Sequence, residues 1–160
     1  MIFVTFLCVW MGYYFDAVRR QRQAVQAIRT LNGRITYDYD LLEENGIEEL
    51  KWKRWMRSKL GAEYVAQVDQ VWFTGREIEP IGMGHYGWPK SEICDDDLEL
   101  FEDLPALTDL CLIDTHVTDR GVPLLKRLKS LQGLCVTGTR ITPAGIADLR
   151  RALPHCIVEH

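Results

Sequence analysis

Leu107-Thr108-Asp109-Leu110-Cys111-Leu112 and Leu131-Gln132-Gly133-Leu134-Cys135-Val136 are the two lines of sequence on which the fold turns. They stand 24 residues apart, and the match runs on through Thr115 and Thr139, Val117 and Ile141, Thr118 and Thr142, Gly121 and Gly145, Val122 and Ile146, and Leu125 and Leu149. A recurrence of roughly 20 to 29 residues built on L-x-x-L-x-L gives one strand and one helix per turn of the chain, with each unit stacked on the last. In Leu110-Cys111-Leu112 the alternation sends the two leucines inward and Cys111 outward. Thr115 and Thr139 fall where the chain leaves the strand, so a short hydroxyl there can bond backbone groups of the turn and of the next unit. Thr118-Asp119 and Thr142-Pro143 read as helix starts. Val122, Leu125, Leu128, Ile146, Leu149 and Leu153 supply the inward stripe of the returning helices.

Two such units bury too little, since about three are needed for a stable stack. A third lies upstream. Ile93, Asp95, Leu98, Phe101 and Leu104 repeat the second half of the pattern, and Val71-Trp72-Phe73 supplies the strand, displaced by an insertion over 79–93. Cys156-Ile157-Val158 adds a last short strand. The reading is an α/β fold, a short leucine-rich-repeat solenoid of about three coils. Its parallel strands form the concave face, and an N-terminal helix and capping region precede it.

The rest of the chain is placed around that stack. Its 160 residues, 47% hydrophobic and 26% charged, suit one globular domain with appendages. The net charge of −4, with no basic block, argues against a nucleic-acid partner. Charge is uneven: residues 16–60 carry 10 Lys/Arg against 7 Asp/Glu, and residues 61–105 carry 2 against 11.

Residues 1–18 read as a membrane anchor. Met1 to Phe15 is apolar apart from Thr5 and Gly12, and Tyr13-Tyr14 followed by Arg19, Arg20 and Arg22 resembles an interfacial belt with a cytoplasmic flank. The run is short for a bilayer, reaching about 22 Å as a helix. It is taken as a single-pass signal anchor that is short or lacks a few upstream residues, rather than a buried core helix. The flanking charge then puts the repeats in the cytoplasm. Residues 19–68 form the N-terminal cap: an amphipathic helix with Val18, Val25, Ile28 and Leu31 on one face, a stop at Asn32-Gly33, a strand over 34–40, and a helix over 47–60. The strand covers the open edge of the sheet. In the second helix Trp52, Trp55 and Met56 roof the first coil, or lie on anionic lipid. Residues 69–160 are the solenoid.

The order of an apolar N-terminus, then R-R-Q-R-Q-A-V-Q-A-I, N-G-R-I-T-Y-D-Y and repeats of L-x-x-L-x-L-x-x-T-x-V-T-D-x-G resembles a group of short bacterial leucine-rich-repeat proteins with an N-terminal membrane segment. The closing A-L-P-H-C-I-V, residues 152–158, is similar to their usual ending. The resemblance covers most of the chain outside the insertion. It implies a curved α/β solenoid and no catalytic residue.

No pattern for catalysis stands out, and none for a cofactor or metal. Gly82-Met83-Gly84-His85-Tyr86-Gly87 fits G-x-G-x-x-G, but Trp88-Pro89 follows where a helix N-terminus is required. Asp95-Asp96-Asp97 sits at a helix start, where the dipole favours acids. The five cysteines lack zinc spacing, and Cys111 and Cys135 are expected side by side as free thiols with parallel side chains. What remains is a surface. Trp72, Cys111, Ile113, Cys135 and Thr137 fall on outward strand positions, with Tyr86 and Trp88 in the insertion that either covers or extends that face. The function expected is a membrane-tethered, non-catalytic module binding a protein through its strand face. The alternative is a structural or envelope-associated protein that self-assembles.

Overall fold

The computed structural model describes residues 2–40, 51–60, 66–75 and 90–160. Helix α1 (Ile2–Thr30) leads into β1 (Arg34–Tyr37), and α2 (Lys51–Leu60) precedes β2 (Val68–Thr74). A 3-10 segment (Asp95–Asp103) is followed by β3 (Asp109–Ile113), α3 (Val122–Leu125), β4 (Gly133–Cys135), α4 (Pro143–Ala152) and β5 (Ile157–Glu159). The five strands make one sheet in sequential order, β1 to β5. β2 through β5 run parallel, and β1 pairs antiparallel with β2. The architecture is mixed α/β.

The alternating strands are as expected. Val71, Phe73, Leu110, Leu112, Leu134 and Val158 are buried on one face of the sheet. The helical segments return across that face and bury Leu98, Phe101, Val122, Leu125, Ile146 and Leu149 against it. Phe73 and Phe101 meet edge to face at 6.0 Å between ring centres. Parallel register places Leu110 beside Leu134 and Cys111 beside Cys135, which is the 24-residue spacing made visible. Asp114 N donates to Thr137 O at 2.8 Å and Arg140 N to Val117 O at 2.9 Å, so pairing continues past the strand ends.

At the other edge β1 closes the sheet, with Ile35 opposite Val71 and Tyr37 opposite Val68. Residues 38–40 then turn helically instead of extending the strand. α1 ends as its sequence requires. Asn32 takes a φ of 60°, and Gly33 N reaches back to Ile28 O at 2.8 Å. A side chain at Gly33 would enter the ring of Phe73.

Several expectations are corrected. The membrane anchor over residues 1–18 fails: among the described residues no helix is long and apolar enough to cross a membrane. α1 is one continuous helix of 29 residues, and its apolar run stops at Phe15. Asp16, Arg19, Arg20 and Arg22 follow directly, and Ala24, Val25 and Ile28 are spent on the protein's own core. An apolar run of about 14 helical residues spans roughly 21 Å, short of the ~30 Å of a hydrocarbon core. The single-pass localisation, and the cytoplasmic side deduced from it, fall with the anchor. Trp55 does not roof the sheet, being 63% exposed. Of the expected insertion over 79–93, positions 79–89 lie outside the described residues; beyond them Ser91 N donates to Thr74 O at 2.7 Å, and Ser91 and Ile93 are wholly buried.

Candidate functional site

The face of the sheet turned away from the helices is where the sequence places its candidate residues. Strand register sets them in rows. One row runs Arg34, Trp72, Cys111, Cys135, Glu159 across all five strands. The next runs Thr36, Gln70, Asp109, Gly133, Ile157. Thr74 and Ile113 pair in a third. Trp72, Cys111, Ile113 and Cys135 are thereby brought together, and they line one shallow groove of about 490 Å³. Asp109, Gly133, Ile157 and Glu159 complete its walls.

Thr137 stands at the exposed turn beyond β4, and its hydroxyl accepts from the Cys135 thiol at 3.4 Å. Tyr86 and Trp88, like the G-x-G-x-x-G stretch, lie outside the described residues. Sequence reasoning passed over Ile157 and Glu159. The signal was available: adding 24 to Gly133 and Cys135 lands on these two residues.

The groove is apolar in the middle and acidic at its borders. Ile157 is 71% exposed, while Trp72 and Ile113 are half-buried. Asp109 leans across the neighbouring strand into the space above Gly133, which any side chain there would occupy. Thr108 Oγ1 steadies it with a bond of 2.8 Å to Oδ2. Glue of a different kind holds the thiols. Cys111 is 5% exposed although it points outward, because its neighbours on both strands enclose it. Burial, then the adjoining Cys135 thiol, pushes the Cys111 thiol up to about 12. None of the five cysteines is in a disulfide.

The acids read as a helix start do sit in the first turn of the 3-10 segment, and one of them reaches further. Asp95 accepts from Thr118 N at 2.8 Å and from Thr118 Oγ1 at 2.6 Å. One step on, Asp119 accepts from Thr142 N at 2.9 Å. Each carboxylate occupies the space beside Gly121 or Gly145 that a Cβ would need. These aspartates tie one strand–helix unit to the next. Asp97 bonds both Cys94 N, at 2.8 Å, and the Cys94 thiol, at 3.2 Å, closing the start of the 3-10 segment. Thr115 and Thr139 bond carbonyls of their own turns, Leu112 O at 3.0 Å and Val136 O at 2.7 Å.

A second depression, about 400 Å³, lies between α1 and the end of the 3-10 segment, with Tyr14, Arg20, Gln21, Glu102 and Asp103 on its walls. Its charges are mixed, and Gln21 is engaged with Ala66 O at 2.9 Å. The sheet face is the more coherent surface. No protein-family model matches this chain, no curated protein is detectably similar to it, and no solved structure matches it.

Proposed function

We propose that the chain is a short leucine-rich-repeat solenoid working as a non-catalytic interaction module, and that it takes a protein partner on the outer face of its sheet. The repeat reading is supported by the 24-residue step in strand register and by the paired links from Asp95 to Thr118 and from Asp119 to Thr142. The observation that carries the functional reading is the groove itself. Trp72, Ile113 and Ile157 give it an apolar floor and lip, and Asp109 and Glu159 flank it. Desolvated aromatic and aliphatic anchors supply most binding energy at protein interfaces, while flanking charge chooses among partners. The partner that fits presents one apolar side chain between lysines or arginines.

The test is a comparison of wild type with the double variant Trp72→Ala plus Ile113→Asp. The proteins each recovers should differ by one that the variant no longer holds, and its capture should weaken as salt rises. Equal recovery of every partner by both forms ends the proposal. Light scattering over a concentration series separates the alternative. A wild type that self-associates, and is made monomeric by the same double change, is a self-assembling protein whose partner is another copy.

A further inference from the structure

We propose that Cys111 and Cys135 together form a two-sulfur site for a soft monovalent cation of the copper(I) class, a role independent of whatever docks on the surrounding face. Two cysteines in register on adjacent parallel strands are held by backbone pairing, not by the chance of flexible side chains. Neighbouring strands lie about 4.8 Å apart. Parallel side chains at that spacing are badly placed for a sulfur–sulfur bond of about 2.05 Å. They suit an ion seated between them, which holds two sulfurs apart through two metal–sulfur bonds. The strand register sets the two thiols side by side, and both line the same groove. Cys135 is half-exposed and offers the entry, while Cys111 is the buried end.

The donor set selects the ion. Thiolates favour soft cations such as copper(I) over the hard ions that prefer oxygen. Structural zinc wants four ligands, and among the described residues no group of three or more His, Cys, Asp or Glu is gathered. Two sulfurs in an apolar groove beside Trp72 and Ile113 match the low coordination number that copper(I) accepts. The Cys135 thiol donates to the Thr137 hydroxyl. Once Cys135 is a thiolate the hydroxyl can rotate and donate back, supplying an outer-shell bond to the ligand.

The exchange balances without an oxidant: two thiols and one copper(I) give a bis-thiolate copper anion and two protons released to solvent. Both sulfur–hydrogen bonds break and two sulfur–copper bonds form. Because two protons leave for each ion bound, uptake should strengthen with rising pH.

The experiment is anaerobic competition for copper(I) against bicinchoninate with the full chain. Wild type should retain one equivalent, and so should a variant carrying Cys8→Ser, Cys94→Ser and Cys156→Ala. Cys111→Ser and Cys135→Ser should each give up their copper. X-ray absorption on copper-loaded wild type, which needs no variant to fold, should show sulfur alone in the first shell. Surrender of all copper by wild type overturns the proposal, as does nitrogen or oxygen in that shell. Retention by Cys111→Ser, with loss from the triple variant, would move the metal to other cysteines and overturn it equally.

Discussion

At the scale of single residues, the most instructive positions are Gly121 and Gly145. Sequence comparison shows them recurring 24 residues apart but not why they are glycine. Neither is among the residues with positive φ, so left-handed backbone is not the reason. Space is. The carboxylate of Asp119 fills the position a Cβ on Gly145 would take, and it is held there by its bond to Thr142 N. Gly145→Ala would push Asp119 off that amide, also crowding Ile141. A charged hydrogen bond to a backbone amide contributes about 1.5–3 kcal/mol, so Gly145→Ala should cost about that much in chemical denaturation. The same substitution in an Asp119→Ala background should cost much less, because the carboxylate it displaces has gone. Additive losses in that double-mutant cycle would show that the glycine serves something other than the aspartate. The aspartates themselves were legible as helix-start residues from sequence. Their reach across to the next unit was not, because it depends on the distance between successive turns of chain.

Among the elements, legibility followed the kind of signal each segment carries. Strands β2 to β4 could be placed from alternation and the 24-residue step because the sheet enforces both. Leu98, Phe101 and Leu104 stand three apart, which is the period of a 3-10 helix, and the segment adopts that tighter winding where an α-helix was expected. α1 shows the opposite case. The change of character that divides 1–18 from 19–68 reads as a boundary, yet nothing there breaks a helix, and the backbone continues to Thr30. Polarity marks a change of surroundings, not of dihedral angles. For α2, helical spacing of Trp52, Trp55 and Met56 announces a face without saying what meets it, and Trp55 meets solvent. α1 should therefore behave as two halves of unequal worth. Tyr13 and Phe15 in the first half are 73% and 57% exposed, whereas Ala24, Val25 and Ile28 in the second are at most 2% exposed. Ile28→Ala should destabilise by about 2–5 kcal/mol through the cavity it leaves beside Phe73 and the sheet. A chain beginning at Asp16 should unfold cooperatively with nearly the wild-type midpoint. If that shortened chain lost its transition, the first half of α1 would be part of the fold after all.

For the whole molecule, the arrangement that matters is a sheet with two unlike edges. An edge strand presents a row of amides and carbonyls that invites pairing with another chain. At one side β1 runs antiparallel along β2 and covers it. At the other, β5 is the terminal strand among the described residues. Ile157 N donates to Gln132 O, and Glu159 O accepts from Val136 N, so these two residues spend their backbone groups on β4. By the alternation of a parallel ladder, Val158 turns its own groups outward. Its carbonyl is met by Arg150 Nη2 from α4 at 2.9 Å, and the same nitrogen lies 3.1 Å from His160 Nδ1. A guanidinium laid across the edge blocks the acceptor and sets a charge where an approaching strand would have to lie. Arg150→Ala should uncover that acceptor, leaving Ile157 beside it as an exposed apolar grip. The variant should then sediment faster as concentration rises while wild type does not, and amide exchange at Val158 should slow in the associated form. Arg150→Lys, which keeps a cationic donor, should stay close to wild type. Should Arg150→Ala sediment as wild type does at every concentration, the arginine is not what keeps this edge from pairing, and the short length of β5 would be left as the protection.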